Sequence, residues 1–247
     1  MIKRLVDILA SLFGLLIISP ILLPVIFLVW KEDKKSPFYI APRSGRNGRI
    51  FEMVKLRSMV IDADKTGVDS TSGNDMRITT IGHKIRRYKL DELVQLWNVL
   101  IGDMSLVGPR PNVKTETDLY TNIEKGLLLV RPGITDFSSI VFSDEGEILE
   151  GRDDPDLTYN QLIRPWKSRL GLIYIKNQSL LLDLQLVLYT VVAIISKQKA
   201  LIWVAEKLSK LNVDSDVVNI SKRETELYPF PPPGMNKAVI ARLHKSL

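Results

Sequence analysis

KLDELVQLWNVLIGDMSLVGPRP, residues 89–111, opens with two adjacent carboxylates, Asp91 and Glu92. Apolar residues follow at 90, 93, 94, 96, 97, 99, 100 and 101, a pattern that predicts a buried helix over Leu90–Ile101. Acidic residues in a first helical turn are favoured by the helix dipole, so Asp91 and Glu92 can be read as a plain helix start. Their neighbours give a second reading. Lys84, Arg86, Arg87 and Lys89 lie just upstream, and Arg110 stands between two prolines at the far end. Proline on both sides stiffens the backbone around Arg110, and a fixed guanidinium suits bidentate contact with a phosphate. A carboxylate pair flanked by such cations has the make-up of a site for a metal and a phosphate ester.

The 247 residues suffice for one sizeable domain with appendages. The formal charge of +6 suits anionic headgroups, phosphate substrates or nucleic acid without choosing among them. The absence of cysteine excludes disulfides, thiolate catalysis and cysteine zinc sites. Two histidines far apart, His83 and His244, argue against a histidine-rich metal site. Any metal is therefore expected to be a hard cation on oxygen ligands, with Mg2+ the default. No P-loop, dinucleotide fingerprint, zinc spacing or nucleic-acid motif is present, so nucleic acid is not an expected partner.

From Ile8 to Trp30 no residue is charged, a run long enough to cross a bilayer. A cleavable signal peptide fits poorly, because WKEDKKSPF follows with no small-residue cleavage site. A plain transmembrane anchor competes with a second course. Basic residues flank both ends, so the positive-inside rule gives no orientation. Ser19-Pro20 falls mid-segment, and Pro24 comes one turn later. Neither proline can donate to the helix, while the Ser19 hydroxyl can serve a freed carbonyl. These features predict a re-entrant helix-break-helix that enters one leaflet and returns. Lys3, Arg4 and Asp7 share a helical face near its start. They form either an ordinary ion pair or a headgroup contact in which Asp7 holds the cations.

Beyond the apolar segment, Phe38–Ile40 and Ile50–Lys55 flank a Gly/Asn-rich turn and predict a β-hairpin ending on a basic edge, Lys55 and Arg57. Residues 62–76 are polar and predict a loop. His83–Tyr88 is expected to be helical, with His83 on the surface. Arg131-Pro-Gly reads as a surface turn, Ser138–Phe142 as a short strand, and residues 143–157 as an acidic loop. Tyr159–Tyr174 reads as a helix, and Leu180–Ile195 as a core or membrane-surface helix too short for a span. An amphipathic piece around residues 201–211 and a proline-rich tail complete the chain.

In order along the chain, these pieces resemble the bacterial sugar transferases of the small monotopic kind, the polyprenyl-phosphate hexose-1-phosphate transferases. The matching motifs are Lys3-Arg4-x-x-Asp7, Ser19-Pro20, Phe51-x-x-x-Lys55-x-Arg57-Ser-Met and Asp75-x-Arg77-Ile-Thr-x-x-Gly82. They continue with Leu90-Asp-Glu-Leu-x-Gln-Leu-x-Asn98-Val, Gly102-Asp-Met-Ser-Leu-Val-Gly-Pro-Arg-Pro111, Arg131-Pro-Gly-Ile-Thr135 and Asn177-x-Ser-x-x-x-Asp183. The resemblance implies an α/β, mostly helical, monotopic membrane protein. Residues 1–35 would be the re-entrant membrane helix and 36–195 a small catalytic domain with the hairpin and interfacial helices, leaving 196–247 as an extension without an assigned role. It implies transfer of a sugar 1-phosphate from a UDP-sugar to polyprenyl (undecaprenyl) phosphate with Mg2+, releasing UMP. That is the first membrane step in making capsule, exopolysaccharide, O-antigen or other glycoconjugates, at the cytoplasmic face of the bacterial inner membrane. Asp91 would be the nucleophile forming a phosphosugar intermediate, and the metal would sit on Asp91 and Glu92. Lys55, Arg57, Arg86, Arg110 and Arg131 would contact substrate phosphates. Two departures stand out: Val94 replaces a common proline, and Asp136–Glu145 replaces a stretch that commonly continues with Gly, Trp and Gln-Val-x-Gly-Arg, so no sugar preference carries over. The reading from another class is a non-catalytic, membrane-anchored scaffold that binds lipid phosphates and partner proteins. The oligomeric state is open, a homodimer included.

Overall fold

A computed structural model describes residues 2–63 and 75–241, so most of the expected loop at 62–76 lies outside the described residues. In chain order the elements are α1 (Ile2–Asp33), β1 (Phe38–Ser44), β2 (Ile50–Leu56), α2 (Thr80–Arg87), α3 (Leu90–Leu93), α4 (Leu96–Ile101), β3 (Ser105–Val107) and α5 (Lys114–Thr117). Then come β4 (Gly133–Thr135), α6 (Phe137–Val141), α7 (Glu145–Leu149), α8 (Pro155–Thr158), α9 (Arg164–Lys176), α10 (Leu180–Ile195), α11 (Lys197–Lys210) and α12 (Ser215–Lys222). The chain is mostly helical, with two small sheets, as expected.

The apolar run forms α1, and the helix continues unbroken through Pro20 and Pro24. The expected break at Ser19-Pro20 is absent for a local reason. Pro20 cannot donate to the Leu16 carbonyl, and the Ser19 hydroxyl donates to it instead at 2.8 Å. One face of α1 is packed along its length. Asp7, Ser11, Leu22 and Val29 are buried, and Gly14 lies against Leu96. Leu22 and Val29 join Leu56, Ile85 and Val94 in a single cluster. That spacing is one stripe of a 3.6-residue period. The opposite face, with Leu5, Phe13, Ile17, Leu23 and Phe27, is exposed.

The hairpin forms as expected, β1 pairing antiparallel with β2 from Phe38↔Leu56 to Ser44↔Ile50. Asn47 and Gly48 turn it with positive φ. The predicted helix over Leu90–Ile101 divides into α3 and α4. Gln95 N–H donates to Glu92 and Trp97 N–H to Val94, i→i−3 bonds that tighten the turn between them. The division leaves Trp97 and Ile101 exposed, so the stretch is not buried on all sides.

Two expectations around residue 135 are corrected. The strand is Gly133–Thr135, paired in parallel with β3, so Arg131-Pro-Gly leads into a buried crossing and not a surface turn. Ser138–Val141 is helical instead, because the Asp136 carboxylate caps α6 by accepting from Ser139 N–H at 2.7 Å. Part of the acidic 143–157 segment is also helical, as α7 and α8. The main core gathers α6, α9, α10, α11 and α12 around Trp166, Tyr174 and Leu186. Helix α10 buries Leu182, Asp183 and Leu186 and exposes Leu181, Leu184, Leu188, Val191 and Ile194. It is a surface helix with an apolar outer face.

Candidate active site

Three local devices converge on Asp91 and Glu92. Helix α3 starts from Lys89, which adopts a left-handed conformation at φ 55° that a lysine rarely takes. Asn98, fully buried on α4, ties the dyad to the hairpin. Its side-chain oxygen accepts from Val54 N–H at 2.9 Å, and its amide donates to the Glu52 carbonyl at 2.7 Å. A side chain thereby stands in for a neighbouring strand and fixes β2, with Lys55, beside α3. The third device places Arg110. Gly108 N–H donates to Thr135, and Gly133 N–H donates to Pro109. A Cβ on Gly133 would lie 2.0 Å from Gly108 N, so only glycine allows this crossing. The rigid Pro109-Arg110-Pro111 turn projects from it.

Arg110 and Glu92 form an ion pair at 2.5 Å. Burial pushes the Glu92 carboxyl up, but Arg110 and Lys55 outweigh it and hold it down at about 2. Glu92 in turn raises the already basic Arg110 guanidinium further. Burial raises Asp91, with Glu92 adding to the rise, while Lys55, Arg110 and Arg86 oppose it. The two carboxylates are thus driven apart, one permanently ionised and the other more basic than usual. Burial, followed by the charge of Arg110, lowers the Lys55 ammonium to about 8. Asp91 Oδ1 is buried without a hydrogen-bond partner. A buried carboxylate oxygen left unsatisfied beside cations is costly unless a ligand completes it.

The structure therefore brings Lys55, Arg86, Asp91, Glu92 and Arg110 together. It does not bring in the other predicted residues. Arg57 is committed to Asp33 at the end of α1, through bonds of 2.6 and 2.7 Å, and to the Ser36 carbonyl. Arg131 donates to the Gly102 carbonyl at 2.8 Å. It lines a separate hollow of about 270 Å³ with Arg46, Arg49, Phe51 and Asp103. Lys3, Arg4 and Asp7 turn into the protein and not toward headgroups. Lys3 pairs with Asp183 at 2.6 Å and donates to the Val107 carbonyl. Arg4 donates to the carbonyls of Val99 and Leu100 at the end of α4. Asp7, 4% exposed, accepts from Ser105 Oγ and Leu106 N–H.

The site also holds residues that the sequence reading missed. Glu145, at the start of α7, is paired with Lys167 of α9. Burial pushes its carboxyl up, but Lys167, then Arg110 and Lys55, lower it overall. Lys89 Nζ donates to the Ser143 carbonyl at 3.4 Å. No local signal marks Glu145 within an acidic stretch; only the fold carries it to the cluster. Among the described residues no group of three His, Cys, Asp or Glu assembles to cage a metal. Asp91 and Glu92 still fit Mg2+, which commonly uses one or two carboxylates and completes its shell with substrate phosphates and water. The unpartnered Asp91 oxygen is the atom such an ion would use.

The family model described as "Bacterial sugar transferase" matches residues 1–197. A UDP-galactose-lipid carrier transferase of Erwinia amylovora is 32% identical over 213 residues, covering 80% of this chain and 41% of that protein. A UDP-N-acetylgalactosamine-undecaprenyl-phosphate N-acetylgalactosaminephosphotransferase of Aeromonas hydrophila is 33% identical over 198 residues, covering 79% and 44%. The chain thus spans less than half the length of these two relatives. The exopolysaccharide production protein ExoY of Sinorhizobium fredii is nearer in length, 33% identical over 207 residues with 78% and 84% covered. On the family match and these relatives, the chain belongs to the bacterial sugar transferase family.

Proposed function

We propose that this protein transfers a sugar 1-phosphate from a UDP-sugar to polyprenyl phosphate in two displacements at Asp91. The observation that carries the reading is the buried, unpartnered Asp91 oxygen among Lys55, Arg86 and Arg110, beside the ionised Glu92. In the first displacement an Asp91 carboxylate oxygen attacks the β-phosphorus of the UDP-sugar. The bond from that phosphorus to the bridging oxygen breaks, and UMP departs with the electron pair. In the second, an oxygen of polyprenyl phosphate attacks the same phosphorus. The Asp91–phosphorus bond breaks, the carboxylate is restored, and polyprenyl diphosphate sugar is released. Lys55 and Arg110 stabilise charge on the phosphoryl oxygens, and Arg86 receives the acceptor phosphate. Glu92 keeps Arg110 charged and oriented. Mg2+, held by Asp91 and Glu92, would supply neutralisation of the diphosphate.

The membrane setting follows from the exposed apolar faces of α1 and α10, with Trp97 and Ile101 of α4. Lys3 and Asp7 at one end of α1 and Asp33 at the other are all tied to the folded domain. A helix crossing the bilayer away from the domain would leave one end without such ties. This favours a monotopic course with both ends on one side, taken as the cytoplasmic face of the inner membrane. In this cysteine-free chain, single cysteines at positions 2 and 35 should label from the same face in intact cells, and labelling from opposite faces would refute that course.

The catalytic test is UMP release in the presence of polyprenyl phosphate from UDP-glucose, UDP-galactose and UDP-N-acetylgalactosamine. Asp91→Asn should lower the rate by a factor on the order of 10³ or more while membrane association persists. EDTA should stop turnover and Mg2+ restore it. A near-normal rate for Asp91→Asn would sink the assignment. No UMP release from any donor would leave the scaffold reading in its place.

A further inference from the structure

The family match ends at residue 197, yet the chain continues into α11, α12 and a strap packed back on the domain. Two cations, one on the last matched residue and one from this added segment, meet one acidic side chain. Lys197 Nζ lies 2.5 Å and Arg223 Nη2 3.3 Å from Asp144 Oδ2. Arg223 takes a left-handed conformation at the end of α12, and its guanidinium lies 5.4 Å from the centre of the Phe142 ring. Asp144 is the residue before Glu145, and its carbonyl accepts the first backbone bonds of α7 from Glu147 and Ile148.

The short segment Phe142–Glu145 therefore joins two parts of the molecule. On one side, Ser143 accepts from Lys89, the residue that starts the dyad's helix. Glu145 meanwhile faces Arg110 and Lys55 electrostatically. On the other side, Asp144 is gripped by Lys197, where the family match ends, and by Arg223 from beyond it. The partner of Glu145, Lys167, is braced from the same direction. Its neighbour Trp166 stacks on Phe230 at 4.3 Å, and Arg169 donates to the Pro231 carbonyl at 2.8 Å.

We propose that the chain from residue 197 onward is a positioning element of the phosphate site: Lys197 and Arg223 hold Asp144, and Asp144 sets where Ser143 and Glu145 lie against the Lys89, Arg110 and Lys55 side chains. The proposal rests on the transferase reading for its effect on rate, but its mechanical part stands separately. Arg223 and Lys197 are positioning residues. They touch no substrate and act through Asp144.

The test uses the full chain and two readouts. Hydrogen exchange without substrate should quicken within residues 142–150 in Arg223→Ala and Asp144→Asn, with the melting temperature unchanged. In the UMP-release assay the same variants should lose roughly 10- to 100-fold in kcat/KM, as expected for misplaced reacting groups. Arg223→Lys, which keeps a cation on Asp144, should recover most of the loss. The Arg223→Ala/Asp144→Asn pair should cost less than the sum of the two single changes, because both break the Arg223–Asp144 contact. Unchanged exchange and unchanged kcat/KM in both single variants would overturn the proposal. So would uniformly faster exchange with a lowered melting temperature, which would make the segment a general brace. If the wild type releases no UMP from any donor, only the transferase reading falls, and local quickening of exchange at 142–150 still upholds the coupling.

Discussion

Lys55 emerges from β2 into a site that already holds a guanidinium, and its ammonium is the group there most easily discharged. With its pKa lowered to about 8 by burial and Arg110, it is a cation below that pH and neutral above it. If its charge stabilises phosphoryl oxygens, kcat/KM should fall on the alkaline side with a midpoint near 8. Lys55→Arg should run more slowly at neutral pH, because a planar fork does not fill the place of a compact ammonium. Its alkaline limb should nonetheless move up by about two pH units or more, since arginine stays charged. A limb unmoved by that substitution would assign it to another group. On the acid side the opposed shifts of the carboxylates decide the assignment. Glu92, held at about 2, stays ionised throughout, so loss of rate as pH falls belongs to the raised Asp91.

Among the elements, the β3–β4 crossing is the one on which the site depends most sharply. It is only a pair of three-residue strands. Yet it fixes the start of the Pro-Arg-Pro turn, at Gly108 and Pro109, through backbone contact that excludes any side chain at Gly133. Gly133→Ala should therefore cost about 3 kcal/mol or more, read from denaturant midpoints, and should depress activity further by displacing Arg110. A variant of wild-type stability would mean that the strands part easily. The same elements show what local sequence reveals. The hairpin was legible because its alternation and Asn-Gly turn carry their own geometry. The strand expected over residues 138–142 was misplaced because Asp136 caps a helix there, an outcome that hydroxyl-rich, β-branched composition does not disclose. The dyad, Lys55, Arg86 and Arg110 could be named in advance from spacing and resemblance. Arg57 and Arg131 looked identical to them in sequence and differ only in their partners, an aspartate and a carbonyl brought in by the fold. Glu145 had no local signature at all.

For the molecule as a whole, α1 is core as much as anchor. It covers Leu56, Ile85 and Val94 along one stripe, and its first turns are bonded to the β3 and α10 regions. Removing residues 1–33 should therefore not release a soluble transferase. It would strip the cover from that cluster and take from Asp183, Arg57 and the carbonyls at the end of α4 the partners they have on α1. The expected product is aggregated or molten, with near-ultraviolet circular dichroism lost. A monomeric truncated chain with native-like signal would show that the cluster closes without the helix.

The tie between Lys3 and Asp183 also constrains how the protein is made. The two residues lie 180 positions apart, so the helix leaves the ribosome well before its partner exists. At bacterial translation rates of about 5–20 residues per second, that wait is roughly 10–40 s. During it the apolar helix needs another cover, and a lipid leaflet is the nearest one. Insertion would then precede folding, and the rest of the chain would assemble onto a helix already lodged at the membrane. Delaying targeting should then lower the yield of folded protein in the cell with every contact of the finished structure left unchanged.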